Sequence, residues 1–404
     1  MLCCNVCGQA GLESRLGFGP QPVSSHFKIE PGSVESRYDL ALGICERCGV
    51  VQLLSPFPHK ALVSPYNWFT YHEPEGHLDD LTVTITRLHG IGPGARILGV
   101  SVKDQTTLDR FARLGFAAPV CLRPREDLGV VAANAGIEHV QKYLTGEVAA
   151  DFARRHGGAD VVIARHILEH AEDVKGFLAA LVALLADDGY LVLEVPDCLR
   201  NMALRDVTMV WEEHSVYFTP ETFRMILADL GMEETLFQVY PLVFENCLIL
   251  IGRKGHRYIR PAVFDGGGGE SRRAFADFAA DFPLWKSRYR HFLERHVGKT
   301  GPVALYGAGH LSCAFVNLYG LADLVTCVVD DTPQKQGLYL AGTEIPILPP
   351  SNLLSKGIRL CLLGLSPESE EKVLRNNMAF TAAGGRFRSL FAASMLSLRS
   401  DMPG

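Results

Sequence analysis

Four of the eleven cysteines are spaced to hold a metal. Cys4-Asn-Val-Cys7 and Cys45-Glu-Arg-Cys48 each set two thiolates on a tight knuckle, and four sulfurs at about 2.3 Å close a tetrahedral shell around zinc. Gly8 and Gly49 follow the two pairs and free the backbone to turn its amides toward the sulfurs. A closed four-sulfur shell has no open position for water, so this Zn2+ is expected to be structural. Cys3 has the wrong spacing and reads as a bystander. His166 and His170 flank Ile-Leu-Glu at a helical i, i+4 spacing; a lone pair without further ligands reads as structural. Tyr306-Gly-Ala-Gly-His310, with Asp330 and Asp331 about twenty residues on, has the layout of a dinucleotide fingerprint, in which glycines bring backbone amides up to a phosphate at a helix N-terminus. Its third glycine is replaced by Ser312.

These groups need elements to position them. The 404 residues are 48% hydrophobic, enough for at least two cores. Arg96–Val100, Val161–Ala164 and Tyr190–Val195 are apolar runs of the kind that form buried parallel strands, with an amphipathic stretch at Val174–Leu185, so the centre of the chain is expected to be a doubly wound sheet. The glycine run after Asp265 breaks the pattern, Ser271–His296 reads as a charged helical connector, and Pro302–Tyr306 with Leu324–Asp330 begins a second strand, glycine turn and helix unit. The expected modules are 1–75, 76–255 and 256–404.

The net charge of −6 offers no basic footprint for nucleic acid. No window reaches the roughly 18 apolar residues of a spanning helix, and the start lacks a charged and apolar leader. The expectation is a cytoplasmic protein without a nucleic-acid or membrane partner, and cysteines that serve metal and not disulfides.

Several segments together resemble one family. Cys-Gly-Val-Val-Gln at 48–52, Ile-Leu-Glu-His at 167–170, Asp-Gly-Tyr-Leu-Val-Leu-Glu-Val-Pro at 188–196, Glu-His-Ser-Val-Tyr-Phe at 213–218 and Val-Asp-Asp-Thr-Pro-Gln-Lys-Gln-Gly at 329–337 are similar to the three-module C-methyltransferases that act on nucleotide-linked keto sugars in deoxysugar biosynthesis. The resemblance covers nearly the whole chain. It implies an α/β protein with a small zinc-binding N-terminal module, a methyltransferase-like Rossmann domain that takes S-adenosylmethionine, and a second Rossmann-like C-terminal domain.

By the same resemblance, Glu213 and His214 carry over as the groups that remove a proton beside the sugar ketone, with Trp211 where the family has a tyrosine and Tyr217 beside the substrate. A histidine titrates near neutrality, as that chemistry requires. Tyr66 or Tyr71 would supply the family's upstream tyrosine; plain packing between modules is the alternative for both. In the C-terminal domain the resemblance assigns Gly307, Gly309, His310 and Lys335 to the nucleotide of the substrate, against a purely structural domain.

Ser101, Asp104, Arg123 and His166 occupy the positions that would face the cofactor, and here the chain departs from the pattern. The family loop reads roughly Leu-Glu-Ile-Gly-x-Asn-Asp-Gly; this chain has Leu98-Gly-Val-Ser-Val-Lys-Asp-Gln105. The acid that normally accepts from the ribose hydroxyls is replaced by Arg123 in Cys121-Leu-Arg-Pro124, either a solvated surface group or an anion contact. A family step of the His-Gly-Gly-Ser type reads Phe-Glu-Asn-Cys at 244–247. Either S-adenosylmethionine binds in an altered mode or it does not bind. The expected function is base-assisted proton abstraction on a nucleotide-linked keto sugar, followed by methyl transfer; the alternatives are an epimerase- or isomerase-type proton transfer without the donor, and a binding protein without chemistry.

Overall fold

The computed structural model describes residues 2–66, 75–117, 119–132, 136–243, 245–255 and 267–402. Tyr71 and Phe244 lie outside them. The N-terminal module is an antiparallel sheet of Leu12–Gln21, Tyr38–Cys45 and Val51–Leu53, and its fourth strand, Val216–Tyr217, is lent by the central domain. Val51 pairs with Tyr217 and Gln52 with Val216, so two of the segments singled out in the sequence, 48–52 and 213–218, lie side by side.

The central domain is a six-stranded sheet in the order Val120–Cys121, Ile97–Gly99, Ala159–Arg165, Leu185–Pro196, Cys247–Arg253, Glu233–Tyr240. The first four are parallel and Cys247–Arg253 runs against both its neighbours. The run Leu191–Val195 is buried throughout, as a strand covered by helices on both faces must be. The helix Val174–Ala183 is capped by Asp173, whose carboxylate accepts from the Gly176 amide.

The connector is a single helix, Gly269–Lys299, that buries Phe275, Phe278, Tyr289, Phe292 and Leu293. It begins on the zinc knuckle: the Ser271 hydroxyl donates to the Gly49 carbonyl at 2.7 Å, and a Cβ on Gly49 would lie 2.6 Å from Gly268 Cα, so only glycine admits this approach. The C-terminal domain is a parallel sheet ordered Ile347–Leu348, Cys327–Val329, Val303–Tyr306, Leu360–Leu363, Arg386–Ser389. One hydrophobic cluster joins the modules, with Leu42 and Phe57 from the first, Met202 and Tyr217 from the second, Phe278 from the connector and Phe315 from the third. Among the described residues no helix is long and apolar enough to cross a membrane.

Candidate active site and zinc centre

The four cysteines of the two knuckles are buried and their sulfurs lie within 4.8 Å of one another. Cys4 and Cys48, and Cys7 and Cys45, are 3.6 Å apart, close to the edge of about 3.8 Å that four sulfurs at ~2.3 Å from zinc would define. Gly8 and Gly49 both take φ +72°, and their amides donate back to the Cys4 and Cys45 carbonyls. The donor set therefore fits zinc. Cys3 is exposed and stands outside it.

The edge strand of this module carries the second set of candidate groups. Val216 and Tyr217 pair with it, Leu53 donates to the Ser215 carbonyl at 2.9 Å, and the Ser215 hydroxyl donates to the Glu169 and Ala171 carbonyls. The segment 211–217 is thus held on one side by the zinc module and on the other by the turn that follows Ala159–Arg165. His214, half-buried, meets His170 edge-on at 4.7 Å and Trp211 at 4.9 Å. Trp211 in turn stacks on His310 of the C-terminal domain at 4.5 Å. Burial, reinforced by His170, His310 and His166, holds His214 well below the ordinary imidazole range, so it is a neutral base at pH 7. Glu213 is buried, and burial together with Glu138 and Glu212 pushes its carboxyl well above the usual range. Glu212 accepts from the Ser24 amide at 2.5 Å and lies 3.8 Å from His310 Nδ1. All three modules converge on residues 211–214.

Other expected contacts fall elsewhere. Tyr217 is fully buried; its hydroxyl donates to the Trp211 carbonyl at 2.9 Å and accepts from the Trp211 amide at 3.2 Å, which makes it a clamp on the tryptophan. Tyr66 donates to the Phe27 carbonyl and packs on the Phe27 ring, a contact within the N-terminal module.

The cofactor loop is closed on itself. Asp104, with no exposed surface, accepts from the Val100 and Ser101 amides at 2.9 and 2.8 Å and from the Arg165 amide at 3.0 Å. Ser101 Oγ accepts from the Lys103 amide. A Cβ at Gly99 would sit 2.7 Å from Asp104 Cβ, so the loss of the acid at 99 and the inward turn of Asp104 are one packing solution. Burial raises Asp104 to about 7, opposed by Arg165. Arg123, at the start of the short helix Pro124–Leu128, has an exposed side chain paired with Asp127, which also accepts from its amide.

Behind this loop lies a cluster that sequence reasoning missed. Glu194, fully buried, accepts from Arg165 Nε at 2.6 Å and contacts His77 and His166 at 2.9 and 3.0 Å. Its guanidinium and imidazole neighbours overcome burial and hold the carboxyl well below its ordinary value. Arg165 and Glu194 each end or interrupt an apolar strand, and that charge in a buried run was the available signal. Asn246 of the 244–247 step bonds Asp197, and Cys247 lies 4.0 Å from His166.

In the C-terminal loop, Gly307 takes φ +98°, with the Gly364 carbonyl 3.0 Å from where a Cβ would sit. Asp330 accepts from the Ala308 amide at 2.7 Å and the Thr332 amide at 2.8 Å, and pairs with Lys335 at 3.1 Å. Gly309 precedes the helix His310–Tyr319, and His310 reaches across to the Thr208 carbonyl at 3.0 Å. Ser312 fills the third-glycine position by donating to the Gly307 carbonyl.

Comparison with known proteins follows the same divisions. Residues 4–62 match a zinc binding domain, 90–235 a methyltransferase domain and 267–390 the C-methyltransferase C-terminal domain. C-methyltransferase NovU from Streptomyces niveus is 25% identical over 95% of this chain and 94% of its own. Among solved structures, the magnesium protoporphyrin IX methyltransferase of Synechocystis PCC 6803 with bound S-adenosylhomocysteine is 19% identical with a TM-score of 0.31, covering 47% of this chain and 91% of that one. The Burkholderia thailandensis 1,6-didemethyltoxoflavin-N1-methyltransferase is 14% identical with a TM-score of 0.30, covering 45% and 79%. The chain thus matches, in order, a zinc binding domain, a methyltransferase domain and a C-methyltransferase C-terminal domain, and is similar along nearly its whole length to a C-methyltransferase.

Proposed function

We propose that the chain acts on a nucleotide-linked keto sugar held between its two Rossmann-type domains, with His214 as the base that removes a proton from the carbon beside the ketone. The observation that carries this reading is the convergence at residues 211–214: a neutral, half-buried histidine stands between His170 of the central domain and a tryptophan stacked on His310 of the C-terminal domain. Burial keeps its imidazole unprotonated at neutral pH and at the same time makes it a weaker base than a solvated histidine. Glu213, held protonated by its surroundings, supplies a donor toward the developing enolate oxygen. S-adenosylmethionine, when bound, would supply the methyl group that the carbanion takes. The residues facing it would be Ser101, Asp104 and His166, and Arg123, paired with Asp127, adds nothing to that set. A nucleoside diphosphate would lie toward Gly307, Gly309, His310 and Lys335.

One observation favours a second reading, proton transfer without the donor. The Val100, Ser101 and Lys103 amides, which a cofactor would use, are already taken by Asp104 and Ser101. At about 0.5–1.5 kcal/mol for each hydrogen bond forgone, donor affinity should fall at least tenfold, to weaker than about 100 μM. The test combines calorimetry with S-adenosylmethionine and incubation of a nucleotide-linked keto sugar in deuterated water. Deuterium should enter beside the ketone with wild-type protein and not with His214→Asn. Methylated product together with micromolar donor binding selects the first reading; deuterium without methylation selects the second. Neither exchange nor a thermal shift with any nucleotide sugar up to millimolar concentration would remove both.

A further inference from the structure

The connector helix Gly269–Lys299 ends beside the C-terminal sheet, and a cavity of about 540 Å³ opens between its last turns, the first residue of Arg386–Ser389 and the turn Leu398–Asp401. This is the far end of that domain from the Gly307–His310 loop. Arg386 shares a row of the parallel sheet with Leu360 and Val303, where the strands begin, whereas the glycine loop follows the other end of Val303–Tyr306.

The lining contrasts with a chain of net charge −6. It carries three full cations, Arg295, Lys299 and Arg386, against one carboxylate, Asp401. That carboxylate is already engaged: Arg388 donates to both of its oxygens at 2.9 and 3.0 Å, and Arg386 stands 3.8 Å away. Arg295 and Lys299 make no hydrogen bond or ion pair with any described residue. The helix dipole ordinarily places cations in a last turn, which accounts for Lys299. It does not account for Arg386, brought from another element, or for the hollow that the cations surround.

The floor is an aromatic pair. Phe292 and His296 stack with centroids 6.3 Å apart and are 8% and 6% exposed. His296 Nε2 is buried without a hydrogen-bond partner, a state that buried polar atoms rarely keep. Burial and the Arg386 guanidinium hold this imidazole below its ordinary value, with Asp401 opposing, so the cations are felt at the floor as well as at the rim. An imidazole lacking a partner and a rim of uncompensated cations call for the same ligand, an anion. The volume, within the range of small-molecule sites, admits more than a lone ion.

We infer that Arg295, His296, Lys299 and Arg386 form a binding site for a diphosphate-bearing anion, at the opposite end of the C-terminal sheet from the glycine loop. Guanidinium groups grip phosphate oxygens in pairs and an ammonium adds a point charge, which suits two linked phosphates spanning the rim above His296.

The experiment is calorimetric titration of the full-length, zinc-loaded protein with pyrophosphate, in phosphate-free buffer at about 0.15 M ionic strength, where contacts between exposed charges are largely screened. Arg295→Ala, Lys299→Ala and Arg386→Gln should each weaken binding about tenfold, as loss of one charge-assisted contact does. The same losses should appear in a Lys335→Ala background, which removes the contribution of the proposed substrate site. All three positions are exposed; should one variant lose its native melting curve, the other two carry the same expectation. The imidazole resonances of His296 in the wild-type protein should move in step with the titration. ADP in place of pyrophosphate separates the sources: tighter binding assigns the site to a nucleotide, equal or weaker binding to inorganic diphosphate. No binding at millimolar pyrophosphate, or three folded variants that titrate like wild type, would overturn the site. Because these variants lie away from Gly307 and Lys335, the outcome is independent of whether a nucleotide-linked sugar is the substrate.

Discussion

The two glycine-type loops, 99–105 and 306–312, solve the same problem in opposite ways. Each ends a parallel strand, starts a helix, and gives amides to one aspartate. In the central domain that aspartate is Asp104, on the loop itself, sealed from solvent and facing Arg165. In the C-terminal domain it is Asp330, from the end of the next strand, also buried but shared with the Lys335 ammonium. The first loop departs from its expected sequence and closes on itself. The second keeps two of its glycines, yet its helix begins against the central domain through His310. A loop's sequence therefore says what its backbone can do, and its neighbours decide what it does.

The comparison would be broken most severely at the zinc knuckle, because Lys175 of the central domain bonds it and the connector to the C-terminal domain begins on it. Cys45→Ser should lose the one zinc expected per chain together with soluble protein, since structural zinc binding of roughly 10–16 kcal/mol is folding energy; elemental analysis and the soluble yield measure it. Next in size, Asp104→Ala should destabilise by about 3–5 kcal/mol, as removal of one partner from a buried charged network does. Asp330→Ala should lose only about 1–3 kcal/mol, the range for exposing unsatisfied amides. Urea denaturation of the two variants side by side decides the order, and equal losses would erase the contrast between the loops.

A smaller effect is a pH slope belonging to the central loop alone. The Asp104 carboxyl is raised from 3.8 to about 7 on folding. A carboxyl raised in this way binds its proton more tightly in the folded state, so its stabilising contribution is complete below the unfolded value and is lost as pH climbs from about 4 to about 7. Asp104→Asn should flatten that part of the stability curve, whereas Asp330→Asn should leave it in place. The smallest expected change is Arg123→Ala, within about 0.5 kcal/mol and without effect on ligand binding, because its side chain is exposed and among the described residues pairs with Asp127.

What could be read in the sequence was whatever is local. The cysteine knuckles announce themselves by spacing, the apolar runs at 159–165 and 185–196 by their length, and the connector by its periodicity. The segments 48–52 and 213–218 could each be recognised, but their pairing as neighbouring strands could not, since no local pattern links positions so far apart. The same holds for Glu138 beside Glu213, brought together by packing within the central domain, and for Trp211 on His310, brought together by packing between domains. Tyr217 illustrates a different limit. A tyrosine next to a candidate base looks like a ligand contact, yet its hydroxyl is spent on the Trp211 backbone, a use that depends on the turn between them. Asp104 was legible as a cofactor-facing position and illegible as the plug of its own loop, because the space it fills exists only when residue 99 has no side chain.

The borrowed strand has a consequence for how the chain is made. Val51 and Gln52 pair on one side with Ile44 and Gly43 of their own module, but on the other side their partners are Tyr217 and Val216, so the N-terminal sheet stays one strand short until about 160 more residues have left the ribosome, on the order of 8–30 s at ordinary elongation rates. During that interval the knuckles can already take up metal, while the unpaired edge of Val51–Leu53 stands open to misplaced strands. Metal capture would then come early and closure of the sheet late, and the arrival of the His214 segment would be the event that ends the exposed phase.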